Sequence, residues 1–202
     1  MKQKFNNHEE YFDEINDMLN TDGDYWDLWN RKFIIGNRFL GVWTEKNPSD
    51  AWRYQQILFK HRPDLILETG SFKGGSALYL ATICDLIKHG KVISVDNRDN
   101  GQNEIVHPRV EFRIGNCLEQ EYDLKDQKVM VIMDCDHTEE HVEKELKKYS
   151  KYVTSGQYFI IEDTVVHGAI NAIRLFMNKN SDFIKDDAPL FTSNYEGYYI
   201  RK

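Results

Sequence analysis

Four short apolar runs each end on acid: Asp64-Leu-Ile-Leu-Glu68, Lys91-Val-Ile-Ser-Val-Asp96, Lys128-Val-Met-Val-Ile-Met-Asp134 and Gln157-Tyr-Phe-Ile-Ile-Glu162-Asp163. If the last two runs are neighbouring strands, Asp134, Glu162 and Asp163 converge. Like charges that close cannot all stay ionised unless a cation neutralises them. An all-oxygen donor set favours Mg²⁺, with Mn²⁺ or Ca²⁺ as alternatives, and leaves coordination positions for substrate hydroxyls, which become more acidic on the ion. His137 lies three positions past Asp134, where an imidazole could take a hydroxyl proton, and the competing reading is a solvated or capping histidine. Asp136 is open between ligand and helix cap, because Glu139 follows it at capping-box spacing. His141, one helical turn beyond His137, invites a zinc reading that suitably placed thiolates would have to complete.

A second group of residues points to a different ligand. The turn Glu68-Thr-Gly70-Ser71-Phe-Lys-Gly74-Gly75-Ser76 sits between a predicted strand and a predicted helix. Its glycines miss the G-x-G-x-x-G spacing that lets backbone amides reach a pyrophosphate, so an NAD fingerprint is absent. What remains is a close backbone approach at Gly70, a helix N-terminus able to hold a carboxylate, and Glu68 to accept from an ammonium group. That combination suits S-adenosylmethionine. Asp96 would accept from ribose hydroxyls, and Gly115-Asn116-Cys117 would meet the adenine. The plainer reading is a glycine-rich turn flanked by solvated acids.

These residues need a scaffold, and the pattern supplies one. The runs are nearly continuous in apolar residues, as suits strands buried on both faces. Helical spacing separates them over 75–88 and 138–152, where Val142, Leu146, Tyr149 and Val153 share a stripe. Alternating strands and helices predict a parallel, doubly wound α/β sheet with ligands outside the carboxyl ends of its strands. Residues 1–62 read as an N-terminal helical cap rich in aromatics (Tyr11, Phe12, Tyr25, Trp26, Trp29 and Phe33, then Phe39, Trp43, Trp52 and Tyr54). Ser49 or Asp50 is expected to cap a helix running to about His61, and Pro63 to end it. Past a helix over 169–180, extended pieces at 182–186 and 197–201 predict a terminal antiparallel hairpin.

At 202 residues the chain reads as one domain, with a core over 63–202. Its net charge of -7 counts against nucleic acid as a partner. No apolar stretch approaches the roughly 20 residues a membrane span needs. Cys84, Cys117 and Cys135 are odd in number and read as core residues rather than a disulfide framework or zinc knuckle, which suits a reducing cytoplasm.

Taken in order, Trp43, Asn47-Pro48-Ser49-Asp50, Arg62-Pro63-Asp64, the Glu68–Ala77 turn, Val95-Asp96, His107-Pro108-Arg109-Val110, Asp134-Cys-Asp136-His137, His141-Val142, Glu145-Leu146 and Gly156 to Glu162-Asp163-Thr164 resemble the cephalosporin hydroxylase / rhamnosyl O-methyltransferase family. The resemblance covers about residues 40 to 200. It implies a Rossmann-like class I methyltransferase fold, a mostly parallel seven-stranded sheet with central order 3-2-1-4-5 and helices on both faces. It also implies S-adenosylmethionine as donor, a divalent metal, and a small-molecule or glycan acceptor methylated on a sugar hydroxyl. By position, Glu68, Gly70, Ser71, Ser76, Asp96, Asn116 and Asp134 would bind the donor. Asp134 (or Asp136), Glu162 and Asp163 would bind the metal, and His137 would be the base. Catechol-type methyltransferases share donor and metal but usually carry lysine where His137 stands. A Rossmann oxidoreductase and a non-catalytic sugar- or nucleotide-binding domain are the more distant alternatives, and homo-oligomer formation is left open.

Overall fold

The computed structural model describes residues 36–164, 169–187 and 192–202. The cap aromatics from Tyr11 to Phe33 lie outside the described residues. The described elements are β1 (Arg38–Phe39), β2 (Val42–Trp43), α1 (Pro48–His61), β3 (Leu65–Thr69), α2 (Gly75–Leu86), β4 (Lys91–Asp96), β5 (Val110–Ile114), β6 (Val129–Met133), α3 (Glu139–Tyr149), β7 (Tyr158–Ile161), α4 (Ile170–Lys179), β8 (Phe183–Lys185) and β9 (Tyr198–Arg201). Seven strands form one sheet in the order β5-β4-β3-β6-β7-β9-β8. The first five are parallel, which is the expected 3-2-1-4-5 order, and β9 runs antiparallel to both β7 and β8. None of the described helices is long and apolar enough to cross a membrane.

The apolar runs split by strand period into two cores. Leu65, Leu67, Val129, Val131, Phe159 and Ile161 pack with Val142, Leu146 and Tyr149 of α3 and with Ile173 of α4. Ile66, Met130, Ile132 and Ile160 face the other way, onto Tyr54 and Leu58 of α1 and Leu80 of α2. A strand needs apolar side chains on both faces only when helices cover both, and that is why these runs do not alternate.

The cap of α1 differs from expectation. Asn47 is the N-cap, accepting from the Ser49 N–H at 2.9 Å, because Pro48 occupies the first helical position, where its missing N–H costs nothing. Asp50 is therefore free for another task. Its buried carboxylate accepts from the Tyr198 hydroxyl at 2.6 Å, from the Ser193 N–H at 3.2 Å and from the Thr192 hydroxyl, tying α1 to the β9 hairpin.

Arg174 on α4 grips Glu196 through two N–H···O bonds of 2.9 Å each, and that pairing holds the Glu196 carboxyl below its usual range. A depressed carboxylate contributes stability above its unfolded pKa and loses it as pH falls through the folded value. The gap in melting temperature between wild type and Glu196→Gln should thus be small but measurable near neutrality. It should begin to narrow as pH drops below about 4.3, the unfolded glutamate value, and close below the lower folded value. A gap that does not narrow at all as a thermal melt series is carried to acid pH would assign the effect to packing instead.

Candidate active site

The glycine-rich turn connects β3 to α2, and two of its glycines are forced by neighbours. Gly70 has φ +86 and donates its N–H to the Val95 carbonyl at 2.7 Å, and a Cβ there would come within 1.8 Å of the Asp134 carbonyl oxygen. The two strand ends, β3 and β6, can lie side by side only because this residue has no side chain. At Gly75 a Cβ would meet the Trp43 carbonyl oxygen at 2.4 Å, so the segment after β2 lies directly over the first turn of α2. Gly70→Ala should cost about 2–4 kcal/mol, combining overpacking with the left-handed backbone penalty. Urea unfolding reads this directly, and a loss under about 0.5 kcal/mol would contradict the contact.

Glu68, Ser71 and Ser76 do not line the cleft; they form a buried network beneath it. Glu68 is fully buried and accepts from the hydroxyls of Ser76 and Ser94, each at 2.5 Å, while Ser71 and Ser94 lie 2.7 Å apart. β3 runs one residue past Glu68, so the Glu68 side chain falls on the Ile66 face of the sheet, under α2. Burial pushes its carboxyl above the usual range, and the Lys46 charge pulls it back.

Above this network opens a cleft of about 750 Å³, bordered by Gly70, Phe72, Asp96, Asn116, Asp134 and His137. At one end Asp96 accepts from the Phe72 N–H at 2.8 Å and the Arg98 N–H at 3.1 Å, which fixes its carboxylate at the tip of β4. Asn116 is held by the Leu118 N–H and Glu119, capping the short 3-10 turn Cys117–Glu119.

At the other end the carboxylates meet a residue that the sequence did not single out. The Lys46 Nζ donates to Asp134 Oδ2 and to Glu162 Oε2, each at 2.6 Å, with Lys46 only 6% exposed. Burial alone would lower the ammonium pKa, but the facing charges of Asp134, Glu162 and Glu68 outweigh it and hold the group protonated well above the ordinary lysine range. The second oxygen of Glu162 accepts from the Tyr54 hydroxyl at 2.7 Å. Burial, and then the Asp134 charge, push Glu162 well above the usual carboxylate range.

Asp134, Glu162 and Asp163 are brought together as expected, with a division among them. Glu162 sits behind, with both oxygens engaged. Asp134 Oδ1 and Asp163 Oδ2 face the cleft, 3.8 and 3.7 Å from His137 Nε2. Asp163 holds a left-handed φ of +51, and its N–H donates to Asn194 Oδ1 at 2.9 Å while the Asn194 amide donates to Tyr54 at 2.9 Å. The strained residue is thus pinned by the same side chain that braces the partner of Glu162. Burial first, then Asp134, raise the Asp163 carboxyl.

Asp134, His137 and Asp163 each offer a ligand atom, all within 4.8 Å of one another, and this mainly oxygen set fits a hard divalent ion. Asp136 borders the cleft, but its carboxylate accepts from the Thr138 N–H at 2.9 Å, just ahead of α3, which is the helix-entry role.

Rhamnosyl O-methyltransferase of Mycobacterium leprae (strain TN) is 34% identical over 151 residues, covering 70% of this chain and 64% of that protein. The Mycobacterium tuberculosis (strain ATCC 25618 / H37Rv) protein of the same name is 32% identical over 141 residues, 64% of this chain and 58% of that protein. The chain thus spans less than two thirds of these relatives' length. A solved structure of CmcI with Mg and SAM shares the fold, with a TM-score of 0.64 and 21% identity, covering 82% of this chain and 76% of that one. The sheet order, the antiparallel hairpin and the flanking helices are those of the Rossmann-like class I methyltransferases. Residues 31–202 match the family described as Rhamnosyl O-methyltransferase/CmcI, and the chain belongs to that family.

Proposed function

We propose that this chain is an S-adenosylmethionine-dependent, divalent-metal-dependent O-methyltransferase acting on a sugar hydroxyl, with a rhamnose-like glycoside as acceptor. The observation that carries this reading is the meeting, in one cleft, of the Gly70/Asp96 donor end with the Asp134–His137–Asp163 cluster. The names of the curated relatives supply the acceptor class.

Asp96, already oriented by two backbone amides, has lone pairs left for ribose hydroxyls. Gly70 lets the donor lie against the backbone beside Asp134. A divalent ion held by Asp134 and Asp163 would supply Lewis acidity and orient two neighbouring acceptor hydroxyls. His137 takes the hydroxyl proton at Nε2. As the acceptor oxygen forms its bond to the methyl carbon, the carbon–sulfur bond breaks and the sulfonium becomes a neutral thioether. Lys46 and Tyr54 hold Glu162, and Lys46 holds Asp134, so the carboxylates are aimed before substrate arrives.

The test is a methyl-transfer assay with labelled donor against rhamnosides, other glycosides and catechols, with and without EDTA. Turnover of a glycoside that EDTA abolishes and added divalent metal ions restore is expected. Turnover indifferent to EDTA would remove the metal, and a preference for catechols would remove the sugar. Calorimetry showing no binding of S-adenosylmethionine or its demethylated product would undo the assignment.

A further inference from the structure

A second cluster lies beside the cleft, with softer ligands than the first. Cys117 opens the turn after β5, Cys135 follows β6, and His141 and Glu145 stand one turn apart on α3. Their ligand atoms all lie within 4.8 Å of one another. The two sulfurs are 3.6 Å apart, His141 Nε2 is 3.6 Å from Cys117 Sγ and 3.2 Å from Cys135 Sγ, and Glu145 Oε2 is 3.6 Å from the same nitrogen. Tetrahedral zinc, with bonds of about 2.3 Å to sulfur and about 2.0 Å to nitrogen, sets edges of about 3.8 Å between sulfurs and about 3.5 Å from sulfur to nitrogen.

We propose that Cys117, Cys135, His141 and Glu145 form a structural site for Zn²⁺, separate from the carboxylate cluster of the proposed reaction. The convergence on His141 Nε2 is the first reason. Two thiol sulfurs and a carboxylate oxygen crowd one ring nitrogen at separations of 3.2 to 3.6 Å, close to the edges of a zinc tetrahedron, and one cation would bind all four at once. Glu145 is the second. It is 1% exposed, its Oε1 is buried with no hydrogen-bond partner, and only the Thr69 hydroxyl and the two thiols act on its carboxyl as donors. Thiols are weak donors and compensate a buried carboxylate poorly. Thiolate, imidazole and carboxylate together are a zinc donor set, while the Asp134–His137–Asp163 set suits a hard ion.

The site would fasten three separate pieces of chain, the turn after β5, the loop after β6 and the first turns of α3. Cys117, Cys135 and His141 border the same cleft as Asp96 and Asn116, so the ion would set the shape of the donor wall. It also bears on the EDTA assay. Stripping zinc would lower turnover indirectly, and Mg²⁺ add-back alone would not restore it.

Cobalt is the probe. The reduced, metal-depleted full chain is titrated with Co²⁺ while the thiolate-to-cobalt charge-transfer band is followed in the near ultraviolet. One equivalent should produce the band, and Zn²⁺ should displace it. Cys117→Ser and Cys135→Ser should each weaken Co²⁺ binding at least tenfold, while Asp134→Asn keeps the band. Absence of the band in the wild-type chain, or its survival unchanged in both serine variants, overturns the proposal. So does formation of a Cys117–Cys135 disulfide in air with Zn²⁺ giving no protection. The band is read on the unaltered chain, so a serine variant that fails to fold leaves the test intact.

Discussion

Lys46→Ala is expected to destabilise the fold by about 3–5 kcal/mol, the range for removing one partner of a buried ion pair. An exposed salt bridge would be worth at most about 1 kcal/mol, and the 6% exposure of Lys46 places it in the buried class. The substitution leaves Asp134 and Glu162 facing each other at the wall of the cleft, with Glu68 behind. Lys46→Met should do nearly as badly, because the loss lies in the stranded carboxylates rather than in packing volume. Mg²⁺ should recover part of the deficit in the variant by supplying the missing charge at Asp134. The pH dependence has a definite sign. The lysine pKa is raised in the folded chain, so its contribution is complete below the unfolded value of about 10.4 and is lost as pH rises through the folded value. Alkaline unfolding should therefore flatten in Lys46→Ala. Urea denaturation with and without Mg²⁺ measures all of this, and a loss below 1 kcal/mol would show that the ammonium is not the keystone of the carboxylate cluster.

His137→Ala should lower turnover by about 10²–10⁴-fold, the usual contribution of a positioned general base. Its Nε2 faces Asp134 and Asp163 at nearly equal distances, a geometry that serves proton transfer or metal ligation, though one nitrogen cannot do both at once. The two roles separate in measurement. A base leaves Mg²⁺ affinity unchanged and removes the alkaline-favoured limb of the pH–rate profile, whereas a ligand raises the Mg²⁺ requirement in proportion to the loss of turnover. Full activity in the alanine variant would take His137 out of the chemistry.

Strand ends were legible because acids that close apolar runs report both a buried strand and its exposed tip. Asp96, Asp134 and Asp163 accordingly border one cleft or converge there. Glu68 was misplaced by one residue of strand length. With Thr69 still in β3, the pleat turns Glu68 under α2, and an apolar run cannot reveal where its last hydrogen bond falls. Lys46 carried no local signal at all. Its partners lie 88 and 116 positions away, and a single lysine ahead of a helix resembles any solvated residue. The soft cluster was legible only at His141, whose zinc reading lacked its thiolates, for a related reason. Only His141 and Glu145 are in helical register, and the two thiols arrive from different strand ends, so no ligand spacing is written along the chain. The cap of α1 was readable in type but shifted, because Pro48 moved the helix start back to Asn47.

The position of β9 between β7 and β8 has a consequence for the order of synthesis. Asn194, which pins Asp163 and braces Tyr54, and Tyr198, which donates to Asp50, emerge from the ribosome after every residue they hold. A nascent chain halted before residue 192 would possess Gly70 and Asp96 and lack the grip on Asp163 and Tyr54. On the proposed function, such a fragment would be able to hold the methyl donor before it could place an acceptor.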